Sequence, residues 1–428
     1  MAATAASPTP ASAEFTSEGA EDGWIVVLKE DAPDHAFRHM HTMAAAVGSA
    51  PRHTFDFGPG SLRGYAMYGP GSEIAVQHMA NSPYVDFIQP DTKISLANAP
   101  IDAALHVNEN NSYSSNPTES WGLHRVSHGF LRAGEPLEYR RNSTGRNAWV
   151  YVLDSGIELS HPQFEGRAKW GRTFLRDVDE DWIPTGGDDF GHGTHVAGII
   201  GGSSLGVAQE TNLVAVKVFN SMGGAQYDVF TSNVMRALQW VIDDARKYDR
   251  LEKSVINMSF GGFVQHDVLR PRQRDVLQMA SQKASAEGIF VVASAGNLHV
   301  PTVVMSPAGE PEVCAVGAID RNDTRAWFSN YSPGVDLLAP GVEVLSAWRG
   351  NKTRLLDGTS MAAPFVAGFG AYFMELDGPG KSYPGYKMCE RLKAIGSYQK
   401  GAEGLEAPVN CTDVYNNYTR VASNGWGW

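Results

Sequence analysis

The sequence predicts an α/β protein: a doubly wound, mostly parallel sheet with helices on both faces, preceded by a small α+β domain of ferredoxin-like plan. From Trp121 onward, apolar runs of strand length alternate with helical patterns, as strands covered on both faces do. Ahead of that, Trp24 to Asp91 carries two helical patterns among four strand patterns, in the order β-α-β-β-α-β. A chain of 428 residues with 43% hydrophobic and 10% aromatic content can fill a large core, and its 45 glycines allow many tight turns.

Residues 1–20 are rich in Ala, Ser, Thr and Pro, without a basic start or an apolar core, so they read as a disordered segment with no visible signal peptide. Residues 21–96 form the first domain. Trp24–Lys29 is a strand, and Asp34–Val47 a helix with Phe37, Met40, Met43 and Ala44 on its apolar face. His53–Phe57 and Gly64–Tyr68 are strands around Gly58-Pro59-Gly60, Ser72–Met79 is a helix, and Val85–Asp91 closes the unit. The polar stretch 97–113, running on to Ser120, is an exposed linker open to proteolysis. Within 114–428, strands are expected at Trp149–Leu153, Leu213–Phe219, Ser254–Ser259, Ile289–Ser294, Val313–Ala318 and Val335–Leu338. Helices are expected at Asp228–Tyr248 and Gln273–Glu287, with a further buried helix starting at Ser360. In such a sheet the ligand crevice lies at the carboxyl ends of the strands, where Asp154, Ser259 and Ser294 fall.

Charge and composition exclude some functions. A net charge of -12 argues against a nucleic-acid surface, which needs clustered Lys and Arg. No apolar run has the length of a membrane span. Cys314, Cys389 and Cys411 allow at most one disulfide and do not fix the redox compartment.

The chemistry lies in three segments. Ser360, in Gly358-Thr359-Ser360-Met361-Ala362-Ala363-Pro364, stands at the predicted helix start, where a lone serine is usually only an N-cap. Upstream are Asp154-Ser155-Gly156, following a strand, and Gly191-His192-Gly193-Thr194-His195, opening a helix. Together they give the order Asp, His, Ser, one of the chain orders a catalytic triad takes on unrelated folds. An imidazolium at a helix N-terminus is opposed by the dipole, and Asp154 can hold its tautomer and stabilise the cation. His195 is expected to pack beneath His192 without acting as a second base.

From Trp121 to about Arg420 the chain resembles the subtilisin-like serine peptidases, in particular their proteinase K-like fungal branch, and Trp24 to Asp91 is similar to that family's inhibitor propeptide. All three blocks match without substitution. The resemblance implies a zymogen-form serine endopeptidase with Ser360 as nucleophile, His192 as general base and then acid, and Asp154 as the orienting carboxylate. It implies an oxyanion hole from Asn297, in Ala295-Gly296-Asn297, and the Ser360 N–H. Ser259-Phe260-Gly261 and Ser294-Ala295-Gly296 would be the walls of an uncharged pocket for aromatic or large aliphatic residues. Gly223, Gly224 and Ala225 would pair with extended substrate.

By the same resemblance, no cofactor serves catalysis, and Pro311, Val313 and Asp336 form a structural calcium site. Cys314 pairs with Cys389, leaving Cys411 over. Processing falls after Tyr113, making Ser114 the mature start. Partners are protein and peptide substrates and the chain's own propeptide, which acts as an intramolecular inhibitor, with no nucleic acid. The enzyme acts as a monomer, secreted or vacuolar. Asn322, Asn351, Asn410 and Asn417 lie in glycosylation sequons, and so does Asn257, which is expected to be buried in a strand. Two rival readings are weaker. A non-catalytic peptidase fold would lack a triad member or the oxyanion Asn, and an α/β-hydrolase would show Gly-x-Ser-x-Gly and the order Ser, Asp, His.

Overall fold

The computed structural model describes residues 23–46, 49, 51–58, 61–69, 71–95, 120–128, 135–176, 178–219, 228–264, 275–378, 383–396 and 420–424. They fall into two compact units, one ending at Thr92 and one beginning at Lys93. The expectations for residues 1–20, Gly223, Gly224, Ala225, Tyr113, Ser114, Cys411, Asn410 and Asn417 lie outside the described residues.

The first unit runs β1 (Trp24–Leu28), α1 (Asp34–Ala46), β2 (His53–Asp56), β3 (Arg63–Met67), α2 (Ser72–Ala80) and β4 (Val85–Pro90). Its antiparallel sheet has the order β2-β3-β1-β4, the ferredoxin-like arrangement. Trp24, Val26, Tyr65, Met67, Met40, Val76 and Ile88 meet in its core. Every second residue of β1 (Trp24, Val26, Leu28) and of β3 (Tyr65, Met67) contributes to this core.

The second unit begins with β5 (Lys93–Ser95), α3 (Trp121–Ser127), β6 (Trp149–Asp154), β7 (Ala168–Thr173), α4 (His192–Gly201), β8 (Asn212–Lys217), β9 (Asp228–Phe230) and α5 (Thr231–Lys247). It continues with β10 (Ser254–Met258), β11 (Gly262–Phe263), α6 (Val276–Ala286), β12 (Phe290–Ser294), β13 (Met305–Ser306), β14 (Cys314–Ile319) and β15 (Leu337–Pro340). The hairpin β16 (Val344–Trp348) and β17 (Lys352–Leu356) then leads to α7 (Thr359–Leu376), α8 (Lys387–Ile395) and β18 (Arg420–Val421).

Eight strands form one sheet in the order β18-β15-β14-β12-β10-β6-β8-β7, and every pair in it is parallel. Helices α4 and α7 pack on each other and on the sheet, while α5 and α6 form a second pair. Strands β10, β12 and β14 are buried along their whole length, which explains why they are mostly apolar. Helix α7 is buried from Thr359 to Phe373, as its lack of charge requires.

The helix expected over Asp228–Tyr248 instead starts at Thr231, because Asp228–Phe230 pairs antiparallel with β5, a partner more than 130 residues earlier in sequence. The strand expected to reach Phe219 stops at Lys217, where the N–H groups of Val218 and Phe219 turn to the Asp154 carbonyl. β7 and β18, two members of the sheet, lack strong apolar alternation and are not visible from periodicity.

Candidate active site

Asp154 ends β6 and is fully buried. Its carboxylate accepts the Ser155 N–H at 2.8 Å and faces His192 Nδ1 at 2.8 and 2.9 Å through its two oxygens. Close approach of α4 makes this geometry. A Cβ on Gly193 would stand 2.1 Å from the Gly156 carbonyl oxygen and 3.1 Å from Asp154 Cβ, so only glycine lets the first helical turn lie against the strand end.

The start of α4 has no side-chain cap of its own. Asp188 supplies one from outside the helix: its Oδ1 accepts the Phe190 and Gly191 N–H groups at 3.0 and 2.8 Å, and Oδ2 accepts the Thr194 N–H and hydroxyl at 3.0 and 2.6 Å. Ser155 Oγ donates to the same carboxylate at 2.9 Å and accepts the Gly193 N–H at 3.0 Å, tying the turn after β6 to the helix. Beneath it Lys217, buried at the end of β8, donates to the carbonyls of Ser155 and Phe219 and to Asp189 at 2.6–2.7 Å.

Burial pushes the His192 pKa down, but the Asp154 charge and hydrogen bond, with Asp188 adding, leave it above the ordinary histidine value. His195 is different. Among the described residues it has no carboxylate partner, its Nε2 faces the Val344 and Arg354 carbonyls, and burial brings its pKa down to about 3. It is a neutral packing residue, as expected.

Ser360 is the second residue of α7, so its N–H has no carbonyl one turn back within the helix. Pro364 stands four residues on and cannot donate to the Ser360 carbonyl. Ser259 takes its place: its hydroxyl donates to the Ser360 carbonyl at 2.9 Å, and the Ser360 hydroxyl donates back to the Ser259 carbonyl at 2.9 Å. The nucleophile candidate is thus held beside the end of β10. Among the described residues, Asp154 and His192 are hydrogen-bonded to each other, while the Ser360 hydroxyl is engaged by the Ser259 carbonyl.

Asn297 is nearly buried, and its amide oxygen is occupied by the Thr359 N–H at 2.9 Å and hydroxyl at 2.8 Å. That leaves the NH2 end as the available donor. Asn330 braces the loop behind it: its Oδ1 accepts the Leu298 and Val300 N–H groups at 3.0 and 3.1 Å, and its Nδ2 donates to the Ala295 carbonyl at 2.8 Å.

This arrangement can be set beside known proteins. Residues 145–388 match the family model described as Subtilase family. The chain belongs to the subtilase family. Subtilisin-like protease 5 of Trichophyton tonsurans is 37% identical over 391 residues, covering 88% of this chain and 87% of the relative. Subtilisin-like protease 1 of Arthroderma gypseum is 34% identical over 401 residues, covering 91% and 75%. The crystal structure of a cold adapted subtilisin-like serine proteinase superposes with a TM-score of 0.56 at 34% identity, covering 66% of this chain and 93% of the other. This subtilase is a serine endopeptidase, a hydrolase whose family chemistry needs no catalytic cofactor.

Around the site of this subtilase, Ser259 and Gly261 follow β10, and on the neighbouring strand Ser294 ends β12, with Ala295 and Gly296 next along. Phe260 is buried edge-on against Phe219 at 5.0 Å, so it offers its backbone there and not its ring. Asn257 is buried in β10, as expected of that sequon, and donates to Ser259 Oγ. Cys314 and Cys389 form a disulfide with a Cα–Cα distance of 5.7 Å. Sequence reading missed Asp188, Thr359, Asn330 and Lys217 as supports of the site. Only Asp188 left a signal, an acidic residue just ahead of a helix start.

Proposed function

We propose that this subtilase is made as a zymogen and cleaves internal peptide bonds through an acyl-enzyme on Ser360. The bidentate approach of Asp154 to His192 Nδ1 carries the reading. An Nδ1–H held by the carboxylate leaves Nε2 as the free base. Ser360 turns from the Ser259 carbonyl, gives its proton to His192 Nε2 and attacks the scissile carbonyl. The tetrahedral oxyanion takes hydrogen bonds from the Asn297 NH2 and the Ser360 N–H, which the start of α7 leaves without an intrahelical partner. His192 then protonates the leaving amine, and water repeats the sequence in reverse roles to free Ser360. Small uncharged residues at Ser259, Gly261, Ser294 and Gly296 favour an aromatic or large aliphatic side chain before the scissile bond.

The module 24–91 serves as folding assistant and inhibitor. What supports this is β5: three residues past β4, it adds to β9 as an antiparallel strand, with Ile94 buried and lying against Gly262. Extended chain entering a cleft by strand addition is how a peptidase holds substrate. Cleavage follows Tyr113, an aromatic residue suited to the pocket. Protein and peptide substrates are then open to a monomeric enzyme, secreted or vacuolar. A buried disulfide fits an oxidising compartment, and Asn322 and Asn351 are exposed for glycan attachment.

Intact mass of freshly expressed wild type and Ser360→Ala, incubated side by side, tests the proposal. The expected result is a wild type split near residue 113 and an intact mutant. Equal cleavage of both chains would rule out self-processing by Ser360.

A further inference from the structure

The resemblance to the proteinase K-like branch leads to the expectation of calcium held by the Pro311 and Val313 carbonyls and the Asp336 carboxylate. The side chains now around Asp336 do not fit that ion. Asp336 precedes β15, and its side chain is 14% exposed. Its Oδ2 accepts the Ala315 N–H at 3.0 Å. Its Oδ1 accepts the Tyr386 hydroxyl at 2.6 Å and the Lys393 ammonium at 2.8 Å. Both oxygens are therefore engaged, one of them by a full positive charge. Burial and the Asp336 charge push the Tyr386 pKa far up, so the phenol stays a donor.

The electrostatics argue against a dication. Calcium is bound by several oxygens, with affinity set by how many carry charge. Here two neutral carbonyls and one carboxylate supply a single negative charge, and Lys393 cancels it. The sulfurs of Cys314 and Cys389 lie within 4.8 Å of a carboxylate oxygen of Asp336, but joined as a disulfide they offer no thiolate to a metal.

The architecture supplies a reason for the lysine. Tyr386, Cys389 and Lys393 belong to one short segment, the residue before α8 and two positions in it. Cys389 is bonded to Cys314 at the start of β14, and Ala315, next along, donates to Asp336. Lys393 lies in the last turn of α8, where a cation also suits the helix dipole. We propose that Lys393 is the resident cation of this site, a covalently attached charge that clamps α8 to Asp336 in place of calcium.

The test is thermal unfolding of the full chain carrying Ser360→Ala, which keeps self-digestion out of the measurement, in millimolar calcium and in EGTA. The parent should show no calcium response beyond that of D336N. K393M should melt about 2 °C lower in EGTA, as loss of one such ion pair implies. Calcium should restore it, and titration calorimetry should find a site in K393M that the K393M/D336N double variant lacks. A calcium-dependent rise in the parent that D336N abolishes would overturn the proposal. So would a K393M chain that melts like the parent and ignores calcium.

Discussion

At the residue scale, Asp188 links the turn after β6 to the start of α4. Its carboxylate collects donors from Phe190, Gly191, Thr194 and Ser155, so it fixes the Asp154 turn and the His192 helix start in one frame. It also adds to Asp154 in holding the His192 pKa above its ordinary value against the lowering by burial. In the proposed mechanism His192 must be neutral to accept the Ser360 proton, so activity should rise as pH passes up through the His192 pKa. Removing a negative charge lowers that pKa. Asp188→Asn should therefore move the acidic limb of kcat/KM to lower pH and reduce kcat by about tenfold, equivalent to ~1.4 kcal/mol of lost positioning. A pH–rate profile checks both. An unchanged limb with an unchanged kcat would show that the carboxylate is only a helix cap.

At the element scale, two helix starts carry the site, each opened by a glycine and each with a nonstandard first turn. In α7, Pro364 frees the Ser360 carbonyl for Ser259, which docks the helix onto the end of β10. In α4, Gly193 permits contact with Gly156 and Asp154 that a methyl group would block at backbone distance. Gly193→Ala should lower kcat/KM by about a hundredfold or more while circular dichroism stays near wild type, since the displaced turn carries His192 away from Asp154. Parental kinetics in this variant would mean that the contact yields without cost. The α4 and α7 starts were legible as motifs because glycine, histidine and serine sit at consecutive or alternate positions. The support of α7 was not, since Ser259 reaches the Ser360 carbonyl from a segment remote in sequence.

At the scale of the whole molecule, the parallel sheet joins strands that are distant along the chain, a topology that folds slowly because loop closure precedes reward. This gives the proposed folding role of the first unit a physical purpose. It also shows where the disulfide acts. Cys314–Cys389 closes a sequence separation of 75 residues and ties α8 to β14, both late in the chain. Replacing both cysteines by serine should destabilise the second unit by about 2–5 kcal/mol, seen as a fall in its melting temperature. An unchanged melt would mean that the contacts of α8 with the sheet hold it without the bond.

The sequence alone determined the ferredoxin-like order of the first unit and the buried strands at the centre of the main sheet, and it proposed Asp154, His192, Ser360 and Asn297 as the reacting groups. Those features are local: periodicity of two or 3.6, glycines next to the reacting groups, and short uninterrupted motifs. Only the tertiary structure decided that Asp228–Phe230 is a strand, that β7 and β18 belong to the sheet, and that Asp336 already faces a lysine. Each of these depends on a partner remote in sequence. A strand at a sheet edge is made by its neighbour's hydrogen bonds, and a carboxylate's counter-ion by whichever helix packs against it.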